Sequence, residues 1–157
     1  MTEGFGPMPG GIKQHPFNQV NGLKKIINKN TAAVVIELIQ GEAGIVPAKK
    51  VFINEIKKLC RKNNALIVID EVQSGVGRTG HLYAYENYNI KPDILCSAKG
   101  MGNGMPIGAI LTTNKVAKAM HVGAHGSTYG GNPLACSVSY EVFKEVSKKS
   151  FLNSVIK

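Results

Sequence analysis

The sequence predicts an α/β fold, a three-layer α/β/α sandwich on a mostly parallel sheet. Three observations carry that expectation. Two apolar runs, Ala32–Ile39 (broken only by Glu37) and Leu66–Ile69, read as strands buried on both faces. Between them lies a stretch whose apolar residues recur at helical spacing. Glycine-rich turns then follow two strand-like runs, as at the carboxyl edge of a parallel sheet.

The elements follow in order. Met1–Gln19 is rich in Gly and Pro and reads as loop. Asn21–Asn28 carries Leu23, Ile26 and Ile27 at helical spacing. Ala32–Ile39 is the first strand. Pro47 opens a helix running to about Asn63, with Val51, Phe52, Ile56, Leu59 and Cys60 as its apolar stripe. Leu66–Ile69 is the second strand, reached by a right-handed crossover. Ile94–Cys96 makes a third strand and Ile107–Thr112 a fourth, with Asn114 capping the helix that follows. Asn132 as N-cap and Pro133 at the first helical position start a last helix, with Leu134, Val138 and Val142 on its buried stripe.

Composition narrows the function classes. At 157 residues and 43% hydrophobic, the chain can build one real core. No apolar run reaches the roughly 18 residues of a membrane helix. The first residues lack the basic and apolar regions of a signal peptide, so the cytoplasm is the expected compartment. Cys60, Cys96 and Cys136 form no CxxC or Cys/His cluster, and they read as buried free thiols. His121 and His125 stand four apart, but Gly123 and Gly126 disfavour a helix there, so no metal is expected. The net charge of +9 comes from Lys: of 19 basic residues only Arg61 and Arg78 are arginine. Base readout and phosphate forks favour arginine, so the charge reads as a solvated surface and not a nucleic-acid interface.

Chemistry concentrates at two positions. Asp70 ends Leu66-Ile-Val-Ile-Asp70 before Ser74-Gly-Val-Gly-Arg-Thr-Gly80, and Lys99 ends Asp93-Ile-Leu-Cys-Ser-Ala-Lys99 before Gly100-Met-Gly-Asn-Gly104. Two parallel strand ends can aim a carboxylate and an amine into one crevice. Pyridoxal phosphate needs that pair, a lysine for the Schiff base and an acid on the pyridinium nitrogen. The bland alternatives are a solvated lysine and a turn-forming Asp. Glu71 competes with Asp70, but neighbouring strand residues point to opposite faces. Ser127 and Thr128 precede Gly130-Gly131 and a helix N-terminus, which suits either a phosphate or ordinary capping. Arg78 reads as structural.

Gln40-Gly-Glu-Ala-Gly44, Ile69-Asp-Glu-Val-Gln73, Gly77-Arg-Thr-Gly80, Ala98-Lys-Gly100 and His125-Gly-Ser-Thr-Tyr-Gly-Gly-Asn-Pro-Leu134 occur in one order. From about Gly4 to Val146 this resembles the class III, ornithine/acetylornithine type, pyridoxal-phosphate aminotransferases. The resemblance implies the large domain of the aspartate-aminotransferase-like fold (fold type I). It implies that residues 1–157 are part of that domain, with its upstream portion and a C-terminal small domain outside this chain. It gives Lys99 the Schiff base and Asp70 the pyridinium nitrogen. Val72 then packs on the ring, where the alternative is plain core, and Gln73 bonds the ring hydroxyl, where the alternative is a loop amide. Thr128, beside Ser127, reaches the phosphate of a neighbouring subunit, which implies a homodimer with shared sites. Glu42 helps the site accept first an amino donor, then a 2-oxo acid.

The implied reaction is amino transfer from N-acetylornithine to 2-oxoglutarate, a step of arginine biosynthesis. Rival donors are ornithine, succinylornithine, succinyl-diaminopimelate and 4-aminobutyrate. A rival of another class is a non-catalytic truncated relative. The phosphate loop and substrate-carboxylate arginine of the family have no match here, so the isolated chain is expected to be inactive.

Overall fold

A computed structural model describes Gly4, Gly6, Pro7 and residues 9–156; the rest of the expected N-terminal loop lies outside the described residues. Helix α1 is a single turn, Leu23–Ile26, burying Leu23. Strand β1 is Ala33–Glu37. After buried Leu38, Ile39–Gln40 (β2) turns away and pairs antiparallel with Val46–Pro47 (β3), Ile39 facing Pro47. Pro47 therefore belongs to a strand and does not open the helix. Lacking an N–H, it is tolerated at the edge of a two-stranded ribbon. Helix α2 starts three residues later and spans Lys50–Asn63. Its buried side is Phe52, Ile53, Ile56, Leu59 and Cys60, while Val51 is exposed. The apolar stripe is thus turned by one residue from the expected one. Asn64 in the left-handed region stops the helix.

Strands β4 (Leu66–Asp70), β5 (Ile94–Ser97) and β6 (Ala109–Thr112) complete a four-stranded sheet in the order β1-β4-β5-β6. The first three are parallel and β6 runs antiparallel to β5, so the α/β class and the mostly parallel sheet stand as the sequence predicts. Helix α3 (Asn114–Ala117) has Thr113, not Asn114, at its N-cap, and Asn114 is already helical. Helix α4 (Pro133–Val146) is capped as expected, the Ala135 N–H donating to Asn132 Oδ1 at 2.9 Å. Its buried stripe begins at Ala135 and Ser139, with Val142, Phe143 and Val146 half-buried; Leu134 is exposed. Helix α5 is Lys149–Ile156.

Paired residues on neighbouring strands share a face. Val34, Ile36, Ile67, Ile69 and Leu95 lie on the side that packs with Phe52, Ile53 and Ile56 of α2. The opposite side carries Val35, Glu37, Val68, Asp70, Cys96 and Ile110. There Val35 is 72% and Ile110 70% exposed. The first strand is thus covered on one face only by the described residues, where its apolar run predicts two. Among the thiols, Cys60 is buried, Cys96 half-buried and Cys136 exposed; all three are free, but only one is fully buried as expected.

Candidate active site

Asp70 is the last residue of β4, and Cys96 is its partner on β5. Three residues beyond Cys96 the chain reaches Lys99. Because β4 and β5 are parallel, both exits lie at the same carboxyl edge, the edge where α/β sheets bind ligands. Asp70 sits on the open face, half-buried, and its Oδ1 accepts the Val72 N–H at 2.9 Å. That bond fixes the carboxylate against the turn that follows. Lys99 opens a 3-10 turn, Lys99–Met101, with φ of 44°. A left-handed backbone costs a non-glycine residue about 1–2 kcal/mol, and such strain clusters at functional sites. The Lys99 side chain is exposed.

Val72 is half-buried and Gln73 exposed. The Gln73 amide lies against Gly41, where a Cβ would collide with it. The turn bearing Glu42 therefore adjoins the segment after Asp70. Glu37, the register partner of Asp70 on β1, joins the same corner: its Oε2 accepts the Gly41 N–H at 3.2 Å. Glu42 itself is exposed. Ser127 and Thr128 are exposed as well, on the segment leading to α4. Ser127 Oγ accepts the Gly130 N–H at 3.0 Å, a local turn bond. No described hydrogen bond joins either residue to Asp70, Gln73 or Lys99. The structure thus gathers Asp70, Val72, Gln73, Glu42 and Lys99 at one sheet edge.

Glu71 obeys the alternation expected of it and points the other way. It is fully buried. Its carboxylate accepts the Ala84 N–H at 2.8 Å, the Tyr85 N–H at 2.7 Å and the Ser74 hydroxyl at 3.1 Å. Burial pushes its carboxyl up, while these three bonds pull the other way. Burial first, and the Asp70 charge second, push the Cys96 thiol up.

Sequence reasoning passed over Glu37, Tyr83 and Ser97. For Glu37 a signal existed: a lone acid in an otherwise apolar strand. Tyr83 and Ser97 meet only through the fold, the Tyr83 hydroxyl donating to Ser97 Oγ at 3.4 Å. Two of the glycines after Asp70 are closed in by the C-terminal helices. A Cβ on Gly77 would lie 2.6 Å from Val146 Cγ1, and one on Gly80 would strike Ile156. Gly100 differs, since a Cβ there would meet Val76 only at an ordinary 3.5 Å.

A fixed carboxylate and an exposed primary amine at adjacent strand ends, with a neutral amide beside them, suit a pyridine ring that carries an aldehyde. The family model for aminotransferase class-III matches residues 2–157. The acetylornithine/succinyldiaminopimelate aminotransferase of Buchnera aphidicola subsp. Schizaphis graminum is 56% identical over 98% of this chain and 38% of its own length. The acetylornithine aminotransferase of Pseudomonas putida is 53% identical, again over 98% and 38%. Among solved structures, the ornithine aminotransferase of Toxoplasma gondii, described with partial occupancy of PLP at its active site, matches with a TM-score of 0.89 and 35% identity. It covers 96% of this chain and 36% of that one. The N-acetylornithine aminotransferase of Stenotrophomonas maltophilia gives 0.81 and 37%, over 93% and 38%. The chain spans less than two-fifths of the curated relatives it matches. Its motifs, its parallel sheet and its acid–amine edge all agree with these matches: the chain belongs to the class III aminotransferases, a pyridoxal-phosphate-dependent family.

Proposed function

We propose that the full-length protein transfers the terminal amino group of N-acetylornithine to 2-oxoglutarate, with pyridoxal phosphate held by Asp70 and Lys99. The observation that carries this reading is the shared carboxyl edge of β4 and β5, with Asp70 pinned on the open face and Lys99 three residues past its partner. When bound, the cofactor supplies an aldehyde and an electron-accepting ring.

The side chains divide the remaining work. Lys99 Nζ holds the aldehyde carbon and, once released, takes and returns the proton of the substrate carbon bearing the amine. Asp70 keeps a proton on the ring nitrogen through its negative charge. Val72 packs against the ring, and Gln73 hydrogen-bonds its hydroxyl. Glu42, beside Gln73, serves the exchange of amino donor for 2-oxo acid. Ser127 takes part in holding cofactor and substrate. The compartment proposed is the cytoplasm, where thiols such as the three here stay reduced.

Relatives at 49–56% identity bear the names of acetylornithine, succinyldiaminopimelate and succinylornithine aminotransferases. The class of donor proposed is therefore an N-acylated diamino acid, with the acetyl compound first. Comparing kcat/KM for N-acetylornithine, succinylornithine and ornithine tests the substrate. Borohydride reduction and peptide mapping test the chemistry: the expected pyridoxyl adduct is on Lys99, and an adduct on another lysine overturns the assignment.

The reading includes a homodimer in which Thr128 serves the partner's cofactor phosphate. One charge-assisted hydrogen bond is worth roughly 1.5–3 kcal/mol, so Thr128→Ala should weaken cofactor retention about tenfold or more. A mixed dimer of Thr128→Ala and Lys99→Ala subunits separates the geometries. If Thr128 acts across the interface, the site that keeps Lys99 receives an intact Thr128 and binds cofactor normally. Weak binding at that site means that Thr128 serves its own subunit.

A further inference from the structure

The buried polar residues of this chain are not scattered. Glu71, Ser74 and Ser97 are three of the four buried polar or charged residues described, and Tyr83 is buried beside them. They form one connected chain of contacts. Ser74 Oγ and the backbone N–H groups of Ala84 and Tyr85 all donate to the Glu71 carboxylate. Tyr83, next in sequence to Ala84, reaches Ser97 Oγ through its hydroxyl. The Glu71 N–H also donates to Cys96 O at 2.9 Å, directly tying the end of β4 to β5.

Each end of this chain adjoins a residue of the site. Glu71 follows Asp70, and Ser97 stands two residues before Lys99. The strand ends are joined on the far side of the sheet from the open face, by buried groups. A buried carboxylate is retained only where its partners are complete, and here three donors meet it. The turn Ala84–Tyr88 that Glu71 holds begins next to Tyr83, whose hydroxyl reaches Ser97 on β5.

We propose that Glu71 is a positioning residue for Asp70 and Lys99, the centre of a buried brace of Ser74, Glu71, Tyr83 and Ser97 that sets the spacing of the two strand ends. The proposal rests on the reading of Asp70 and Lys99 given above. Misplacing reacting groups by 1 Å can cost about 100-fold in rate, so loosening a brace that does not touch the reactants should cost less, about tenfold. The protonation of groups on the bound cofactor depends on their distance from the Asp70 charge. A changed spacing therefore shifts the pH at which the bound cofactor changes its visible absorption.

The test uses the full-length protein reconstituted with pyridoxal phosphate. Wild-type protein is first checked for a borohydride-fixed adduct on Lys99; its absence overturns the functional reading, and the positioning role with it. Given the adduct, Glu71→Gln, Ser97→Ala and Tyr83→Phe are compared by absorption at a series of pH values, by kcat and KM, and by urea unfolding. The expected result is a shift in the absorption midpoint, with kcat about tenfold lower and KM little changed, in Glu71→Gln and, more weakly, in the other two. Ser97→Thr, which keeps a hydroxyl, should restore the midpoint. Variants that unfold at lower urea yet keep the wild-type midpoint and kcat would show a purely structural network and sink the proposal. If Glu71→Gln does not fold, Ser97→Ala and Tyr83→Phe decide alone, since neither disturbs a buried charge.

Discussion

Cys60 and Cys136 bear the same thiol in opposite surroundings. Burial, with the Asp93 charge second, pushes the Cys60 thiol up to about 11. Unfolding returns it to the ordinary range near about 8.5. Between those values the unfolded chain holds fewer protons than the folded one, so stability falls as pH rises through that window and is untouched by this thiol below it. Urea midpoints at pH 7.5 and 10 should therefore differ in wild-type protein by more than in Cys60→Ala. Iodoacetamide at pH 8 should label exposed Cys136 and leave Cys60 unmodified in folded protein. At the site, Asp70→Asn should lower amino transfer by about 100-fold or more while some cofactor stays bound, because an amide offers no negative charge to the ring. Single-turnover rates read that loss. Asp70 and Glu71 were separable in the sequence because strand alternation assigns them to opposite faces. The partners of Glu71 were not, since Ala84 and Tyr85 lie 13 and 14 residues away and donate through backbone, which no residue type announces.

The elements show where local signals hold and where tertiary packing overrides them. Asn132 and Pro133 give the start of α4 outright, because capping is a local hydrogen bond. Asn132→Ala should cost about 1 kcal/mol, read as a lower urea midpoint. Pro47 misleads because its fixed φ fits both a first helical turn and a strand edge, and the pairing with Ile39 decides for the strand. The stripe of α2 was legible to within one residue; Ile53 replaces Val51 because the sheet lies under the former. The two glycine-rich turns look alike in sequence but answer to different neighbours. Gly77, at φ of 82° and against Val146, should lose about 1–3 kcal/mol of stability on change to Ala. Gly100→Ala should stay within about 0.5 kcal/mol of wild type, so any loss of cofactor affinity in it reports the approach of a ligand. Thermal melts of the two variants, with cofactor titration of the second, check both statements.

For the molecule as a whole, the apolar runs announced the parallel order of strands, and the motif order announced the family. The open face was not legible, because an apolar strand reads the same whatever covers it. Val35 and Ile110 project from that face, Val35 paired with Val68 and Ile110 with Cys96. Residues 1–157 expressed alone should therefore self-associate and lack turnover. Val35→Lys together with Ile110→Lys should raise the monomeric fraction on size-exclusion chromatography. An unchanged elution profile would mean that another surface drives the association.

The adjacent acids Asp70 and Glu71 have one more consequence, for how the chain finds its fold. Sliding β4 by one residue against its neighbours would carry Glu71 into the place of Asp70 at the crevice and Asp70 into the place of Ile69, between Ile36 and Leu95. A carboxylate would still stand at the crevice, so the error would not be betrayed by missing charge. It would be betrayed by burial. Asp70 would lie among apolar side chains, and the Ala84 and Tyr85 N–H groups would lose their acceptor, leaving a buried charge unmatched at a cost of several kcal/mol. Two acids side by side at the end of β4 thus penalise a slipped pairing that an apolar pair would tolerate.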